Sequence, residues 1–138
     1  MENKNDGAFA FLDRRTYDFK NKTILVVEDN DPCFFLLKKF LETINVGFLR
    51  AENGLEAIDV CKANDQIDLV FMDIKMPEMD GYEATKQIKK FKSNLPITML
   101  TGLRPSEHQK ELLECGCDGY TSKPYDYSEI FNLIEKYI

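Results

Sequence analysis

Five residues of this 138-residue chain carry groups suited to joint chemistry, and each stands where an apolar run stops. Glu28 and Asp29 follow Ile24-Leu25-Val26-Val27, Asp73 follows Leu69-Val70-Phe71-Met72, and Thr101 follows Ile97-Thr98-Met99-Leu100. Lys123 comes just after the short run Gly119-Tyr120-Thr121. Short apolar runs that end in a polar residue and a turn signal read as buried parallel strands. In open α/β sheets, ligands bind at the carboxyl ends of such strands. Three carboxylates within about 4 Å of one another repel by several kcal/mol per pair even at an effective dielectric near 20, so something cationic must offset them. The candidate ligands are all hard oxygens, which suits Mg2+, with Mn2+ as a substitute and the Lys75 carbonyl as a backbone ligand. A metal, a carboxylate oxygen, a hydroxyl and an ammonium together make a phosphoryl-transfer site. In that site Asp73 is the nucleophile and Glu28 and Asp29 hold the metal, while Thr101 and Lys123 contact the other phosphoryl oxygens. Taken singly, each residue has a plainer role as a cap, a loop acid or a solvated lysine. Their placement at successive strand ends is what favours the chemistry.

The elements that must position these groups can be followed along the chain. Residues 1 to 21 show no sustained period and read as an arm or linker, with a small apolar patch from Phe9 to Leu12. The first strand leads to a helix capped by Asn30 or Asp31, with Pro32 in its first turn. Cys33, Leu36, Leu37, Phe40, Leu41 and Ile44 give that helix a core stripe, widened by Phe34 and Phe35. Phe48 to Ala51 is a second strand. Asn53-Gly54 turns the chain into a helix marked by Leu55, Ile58 and Cys61. After Asp73, Pro77 and Gly81 punctuate a loop. The third helix then turns Ala84, Ile88 and Phe91 inward and leaves Lys86, Lys89, Lys90 and Lys92 solvated. Ser106 caps a fourth helix that carries Leu112 and Leu113 and closes at Gly116, and a last helix runs from about Ser128 to Tyr137. Five strands alternating with five helices, without a hairpin signal, make an α/β chain of (βα)5 type. Right-handed crossovers give it a parallel sheet with helices on both faces.

The length fits one domain at residues 22–138, with no room for a second catalytic one. Eighteen basic against twenty-four acidic residues, a formal charge of −6, argue against direct binding to nucleic acid or to an anionic membrane. No apolar run approaches the ~20 residues needed to span a bilayer, and the start is unlike a signal peptide, so a cytoplasmic setting is expected. The four cysteines read as small buried hydrophobes. Cys115 and Cys117 with the lone His108 lack a fourth metal ligand.

These motifs resemble the receiver domain of two-component response regulators. The likeness covers about residues 22 to 138 and rests on Ile24-Leu25-Val26-Val27-Glu28-Asp29, Met72-Asp73-Ile74-Lys75-Met76-Pro77-Glu78-Met79-Asp80-Gly81, Leu100-Thr101-Gly102 and Gly119-Tyr120-Thr121-Ser122-Lys123-Pro124. It implies a flavodoxin-like strand order 2-1-3-4-5 and Mg2+-dependent phosphorylation of Asp73 by a histidine kinase or a histidine phosphotransfer protein. It also implies self-catalysed transfer and autodephosphorylation in place of enzymatic turnover, and a cis bond between Lys123 and Pro124. A switch is implied as well, in which Thr101 moves inward and Tyr120 follows it, remodelling the face of helix 4, strand 5 and helix 5 and opening a route to a receiver homodimer. Three features depart from the commonest pattern: a Glu-Asp acidic pair, Gly102 where alanine is frequent, and Arg104-Pro105 in the following loop. None removes a reacting group.

The stretch Met72 to Lys86 is similar to receivers at the C-terminus of hybrid histidine kinases, and Gly7-Ala8-Phe9-Ala10-Phe11 resembles the closing strand of a kinase ATP-binding domain. A stand-alone response regulator is the alternative setting. A flavin-binding electron carrier would need a phosphate-cradling loop where Glu28 to Asp31 repel phosphate. A haloacid-dehalogenase-type phosphatase would need a second acid where Lys75 stands. An inactive docking receiver would lack reacting groups, and none is missing.

Overall fold

A computed structural model describes residues 19–102, 105–123 and 125–138. Residues 1–18 of the arm, Arg104 and the peptide bond into Pro124 lie outside these residues, whereas Phe19, within the expected arm, packs edge-on against Phe131 of the core. The elements alternate strictly: β1 (Thr23–Val27), α1 (Asp31–Thr43), β2 (Gly47–Ala51), α2 (Gly54–Ala63), β3 (Leu69–Asp73), α3 (Gly81–Phe91), β4 (Ile97–Thr101), α4 (Pro105–Cys115), β5 (Gly119–Ser122) and α5 (Tyr127–Tyr137). All five strands are parallel, in the order β2-β1-β3-β4-β5. This is the flavodoxin-like arrangement.

The strands read as unbroken apolar runs because both faces of the sheet are covered. Ile24, Val26, Leu69 and Phe71 point into a core shared with Phe34, Leu37 and Leu41 of α1 and Ile130 and Ile134 of α5. Leu25, Val27, Val70 and Met72 point the other way, against Ala57 of α2, Ala84 and Ile88 of α3 and Leu112 of α4. Alternate residues of one strand thus feed two cores.

Side-chain caps set the helix starts. Asn30 accepts from the Cys33 N–H, Asn53 from Glu56, Asp80 from Glu83, and Asp126 from Ser128 and Glu129. Of the two candidates at α1, Asn30 is the cap, and Asp31 is left to pair with Arg50 at 2.7 Å.

Several helix stripes differ from the sequence expectation at their edges. In α1 the buried arc runs from Phe34 through Leu37 and Leu41 to Phe40; at ~100° per residue Leu36 falls beyond it and Phe35 opposite it, and both are exposed. In α2 Ala57 and Cys61 make the contact, while Leu55 is exposed. Phe91 shares the angular face of Ala84 and Ile88. It is the last residue of α3, however, beside the segments leading into β3 and β4, and is exposed beneath the Lys62 ammonium. Leu113, one residue round from buried Leu112, is exposed too. Lys89 is not merely solvated: it binds the carbonyls of Ser93 and Leu95 and the Asp118 carboxylate, which also caps the Ile97 N–H. Helix α4 is interrupted at His108 (φ −141°, ψ 26°), whose buried ring meets the Tyr82 hydroxyl of α3 through Nδ1.

Two loop features have backbone causes. Asn45 takes a left-handed φ of 61° to end α1, a role asparagine fills readily. Glu78 has φ 71° at the centre of a tight turn closed by the Met79 N–H donating to Pro77 O at 2.8 Å. A non-glycine residue there is strained. Glu78→Gly is therefore expected to raise stability by up to about 1 kcal/mol in urea denaturation, and an equal loss would show that the turn is not strained.

Candidate functional site

The sheet order sends the chain from β1 to opposite sides, first to β2 and later to β3, and so opens a crevice at the carboxyl edge between β1 and β3. Register brings the ends of both strands to that crevice, since Val27 pairs with Met72 and Asp73 pairs with Leu100. Glu28 and Asp29 leave β1 on one side, and Asp73 closes β3 on the other. Carboxylate oxygens of Glu28, Asp29 and Asp73 all lie within 4.8 Å of one another. Glu28 is fully buried and Asp73 nearly so, whereas Asp29 is exposed.

Lys123 arrives from the far edge of the sheet. The β4–β5 pairing continues one step past Ser122, where the Lys123 N–H donates to Thr101 O at 2.7 Å. From there the side chain reaches back to Glu28 Oε1 at 2.6 Å and Asp73 Oδ1 at 3.2 Å. Asp73 Oδ1 also accepts from the Ile74 N–H at 2.9 Å, which fixes the rotation of the carboxylate. Thr101 ends β4 almost fully buried, and Lys75 sits exposed in the loop two residues beyond Asp73. Tyr120, three residues before the lysine, is half exposed on β5.

Two further residues at the site went unremarked in the sequence. Arg50 of β2 donates from Nε and Nη2 to the Glu28 carbonyl at 3.2 and 3.1 Å, and its guanidinium lies 4.3 Å from the centre of the Phe34 ring. It holds the backbone on which the acidic pair is mounted. Tyr125 directs its hydroxyl to Glu28 Oε1 at 3.4 Å. Arg50 was signalled only by being a charged residue inside a short strand, and Tyr125 by an aromatic just after Lys-Pro.

Crowding of like charge in a partly dry crevice shifts proton affinities. Burial pushes the Asp73 carboxyl up to about 7, contact with the Glu28 carboxylate adds to the rise, and Lys123 only partly opposes it. For Lys123, burial favours loss of the proton, but its hydrogen bond to Glu28 and the charges of Asp73 and Glu28 outweigh that and raise its pKa. Burial, followed by the Glu28 charge, also raises the Tyr125 phenol.

The residues fit a hard divalent cation. Their donors are oxygens only, and Glu28 Oε2 is buried with no hydrogen-bond partner, an expensive state for a carboxylate oxygen unless a cation meets it. Among the described residues no other group of three His, Cys, Asp or Glu side chains is placed to hold a metal, so His108, Cys115 and Cys117 form no metal site. No helix in the described residues is long and apolar enough to cross a membrane.

A doubly wound five-stranded sheet with an acidic cluster and a lysine on its carboxyl edge defines a CheY-like α/β domain. The response regulator receiver domain family matches residues 24–135, and the chain belongs to that family. It is thus a receiver domain of two-component signalling. It is 39% identical over 113 residues to the chemotaxis protein CheY of Halobacterium salinarum, a match covering 82% of this chain and 93% of that protein. It is 30% identical over 138 residues to Histidine kinase 3 of Arabidopsis thaliana, covering 84% of this chain but only 13% of that protein. Among solved structures, response regulator TrrA of Thermotoga maritima in complex with Mg2+-BeF superposes with a TM-score of 0.77 at 32% identity, covering 85% of this chain and 99% of that one. The receiver domain structure of Ssk1 with the histidine phosphotransfer protein Ypd1 of Saccharomyces cerevisiae gives 0.79 at 28% identity, covering 86% and 90%.

Proposed function

We propose that this receiver is a phosphoacceptor in a phosphorelay, with Asp73 taking a phosphoryl group from a phosphohistidine on a histidine kinase or a histidine phosphotransfer protein. The observation that carries the reading is the nearly buried Asp73 carboxylate at the end of β3, with the Lys123 ammonium 3.2 Å from Oδ1 and two further carboxylates within 4.8 Å. A carboxylate oxygen of Asp73 attacks phosphorus, the P–N bond breaks, and its electron pair returns to the donor imidazole, leaving an acyl phosphate on Asp73. Lys123, already aimed at that carboxylate, neutralises one phosphoryl oxygen, and the Thr101 hydroxyl donates to another. Glu28, Asp29 and Asp73, with the Lys75 carbonyl, would hold Mg2+, which would supply positive charge against the transferring group. Hydrolysis of the acyl phosphate resets the site.

Signalling follows from the pull on Thr101. As the Thr101 hydroxyl moves to the phosphoryl group, Tyr120 turns from its exposed position towards the space behind it, and the face of α4, β5 and α5 changes. Shifting such an equilibrium from 1:99 to 99:1 takes ~5.5 kcal/mol, within reach of several charge-assisted hydrogen bonds. A receiver homodimer formed on phosphorylation would use this face.

The domain works inside a hybrid histidine kinase on this reading, supported by its match to a small part of Histidine kinase 3. A stand-alone regulator is the second reading, favoured by the 39% identity to a CheY whose length the match nearly spans. The parent reading frame decides between them.

The test is incubation with Mg2+ and acetyl phosphate, followed by intact mass. The chain should gain one phosphoryl group, and no gain in the presence of Mg2+ would overturn the proposal. Beryllofluoride with Mg2+ should shift the Tyr120 ring resonances. Thr101→Ala should retain phosphate uptake yet lose the Tyr120 shift, and a shift that survives in this variant would remove Thr101 from the switch.

A further inference from the structure

Glu28 is the first residue past β1, and two unlike contacts tie its main chain to the neighbouring strand. Its N–H donates to Ala51 O at 3.0 Å, as in a strand ladder. The ladder cannot continue to its carbonyl, because β2 ends at Ala51 and Asn53 already caps α2. Arg50 fills that gap. Its Nε and Nη2 both donate to the Glu28 carbonyl oxygen, at 3.2 and 3.1 Å, so one edge of the guanidinium occupies both lone pairs. Nη2 also donates to Asp31 Oδ1 at 2.7 Å, and Glu52 Oε1 lies 3.7 Å from the same nitrogen. Beneath the guanidinium, 4.3 Å away, is the centre of the buried Phe34 ring, which is itself set edge-on to Phe48. Hydrogen bonds on two sides and a fixed ring below leave the guanidinium one position.

We infer that Arg50 is a positioning residue for the divalent cation: by locking the Glu28–Asp29 peptide it presents both carboxylates to the crevice, and so sets the Mg2+ affinity of the acidic edge. This rests on the metal reading of the cluster given above. A peptide plane held at its carbonyl fixes ψ of Glu28 and φ of Asp29, and with them the directions in which the two side chains leave the chain. At the other end of Glu28, Oε1 is taken by Lys123 at 2.6 Å and by Tyr125 at 3.4 Å. Oε2 is buried and has no hydrogen-bond partner among the described residues, so it is the oxygen left for a cation. Arg50 thus acts through the Glu28 main chain. Its charge alone would work the other way, since a fixed cation beside the acidic pair repels Mg2+. Positioning and charge therefore predict opposite effects of replacing Arg50.

The test is urea denaturation of the full chain in EDTA and across a Mg2+ series at constant ionic strength. It separates stability from affinity, because the increment from a bound ligand depends on its dissociation constant and not on the metal-free midpoint. Arg50→Lys keeps the charge but loses the planar fork, and Arg50→Met loses both. Each should bind Mg2+ about tenfold more weakly than the unmodified chain, a typical loss for a residue that orients a metal ligand. At saturating Mg2+ the stabilisation is then smaller by about 1.4 kcal/mol. An arginine with only a structural role would lower the metal-free midpoint and leave the Mg2+ increment as it was. That result in Arg50→Lys would overturn the proposal, as would tighter binding by Arg50→Met, the outcome expected of charge alone. No Mg2+ increment in the unmodified chain would remove the metal site and this proposal with it. Because no phosphoryl donor is present, each of these outcomes is distinct from a failure of phosphate uptake.

Discussion

Asp73→Asn protein should take up no phosphate from Mg2+ and acetyl phosphate, and in metal-free buffer at pH 8 it should be more stable than the unmodified chain. The first result follows from the chemistry: an amide oxygen is a poor nucleophile for phosphorus and cannot form the acyl phosphate. The second follows from the crevice. Asp73 holds its proton more tightly in the fold, at about 7, than at the ordinary value of 3.8. Across that window the native state binds more protons than the unfolded chain, so stability from this group is full below the unfolded value and is lost as pH rises through about 7. Asparagine carries no charge and escapes the loss, and Lys123 keeps its Glu28 partner at 2.6 Å. The expected gain is about 1–3 kcal/mol at pH 8, less than the full shift would give because Lys123 and solvent at the sheet edge screen the charge, and it fades by about pH 4. Urea denaturation in EDTA at pH 8 and pH 5 measures it. Adding Mg2+ should close the gap by stabilising the native acidic cluster alone. An Asp73→Asn chain less stable than the original at pH 8 would contradict the crowding of charge at this edge. Phosphate uptake by the variant would move the nucleophile elsewhere.

Gly81→Ala should destabilise the chain by about 3 kcal/mol or more and disturb Asp73 as well. Gly81 N donates to Ile74 O at 2.8 Å, which folds the start of α3 hard against the end of β3. A Cβ on Gly81 would lie inside the van der Waals envelope of the Asp73 carbonyl oxygen and 3.0 Å from both the Asp73 carbonyl carbon and the Ile74 Cα. All three neighbours are backbone, so no side chain can swing aside. Either α3 shifts outward or the strand end carrying Asp73 moves. Gly102→Ala is the control, because a Cβ there meets nothing within 4 Å, and its effect should stay within about 0.5 kcal/mol. Equal denaturation midpoints for the two variants would refute the packing argument.

The two glycines show where reading the chain one residue at a time stops. Both stand beside site residues and look alike as turn signals, yet one has no room for a methyl group and the other has open space. The difference lies in how closely α3 returns to β3, which depends on the loop from Ile74 to Asp80 and its strained Glu78. Helix stripes behave similarly. The period of α1 placed Leu37, Phe40, Leu41 and Ile44 in the core, but the width of the buried arc, and so the exposure of Leu36 and Phe35, depended on how much of the helix the sheet covers.

The sequence by itself determined the (βα)5 order and the residues that close each strand. A strand buried on both faces must be apolar throughout, and its first polar residue then marks the carboxyl edge where chemistry can occur. Tertiary structure alone decided what that edge is like. Lys123 meets a carboxylate 95 residues away, Arg50 grips the backbone under Glu28 from the neighbouring strand, and Tyr125 closes over the same carboxylate. The raised proton affinity of Asp73 belongs to the same class. All of these depend on distance and desolvation between groups remote in the chain, and those quantities arise only when strand register and helix packing are complete.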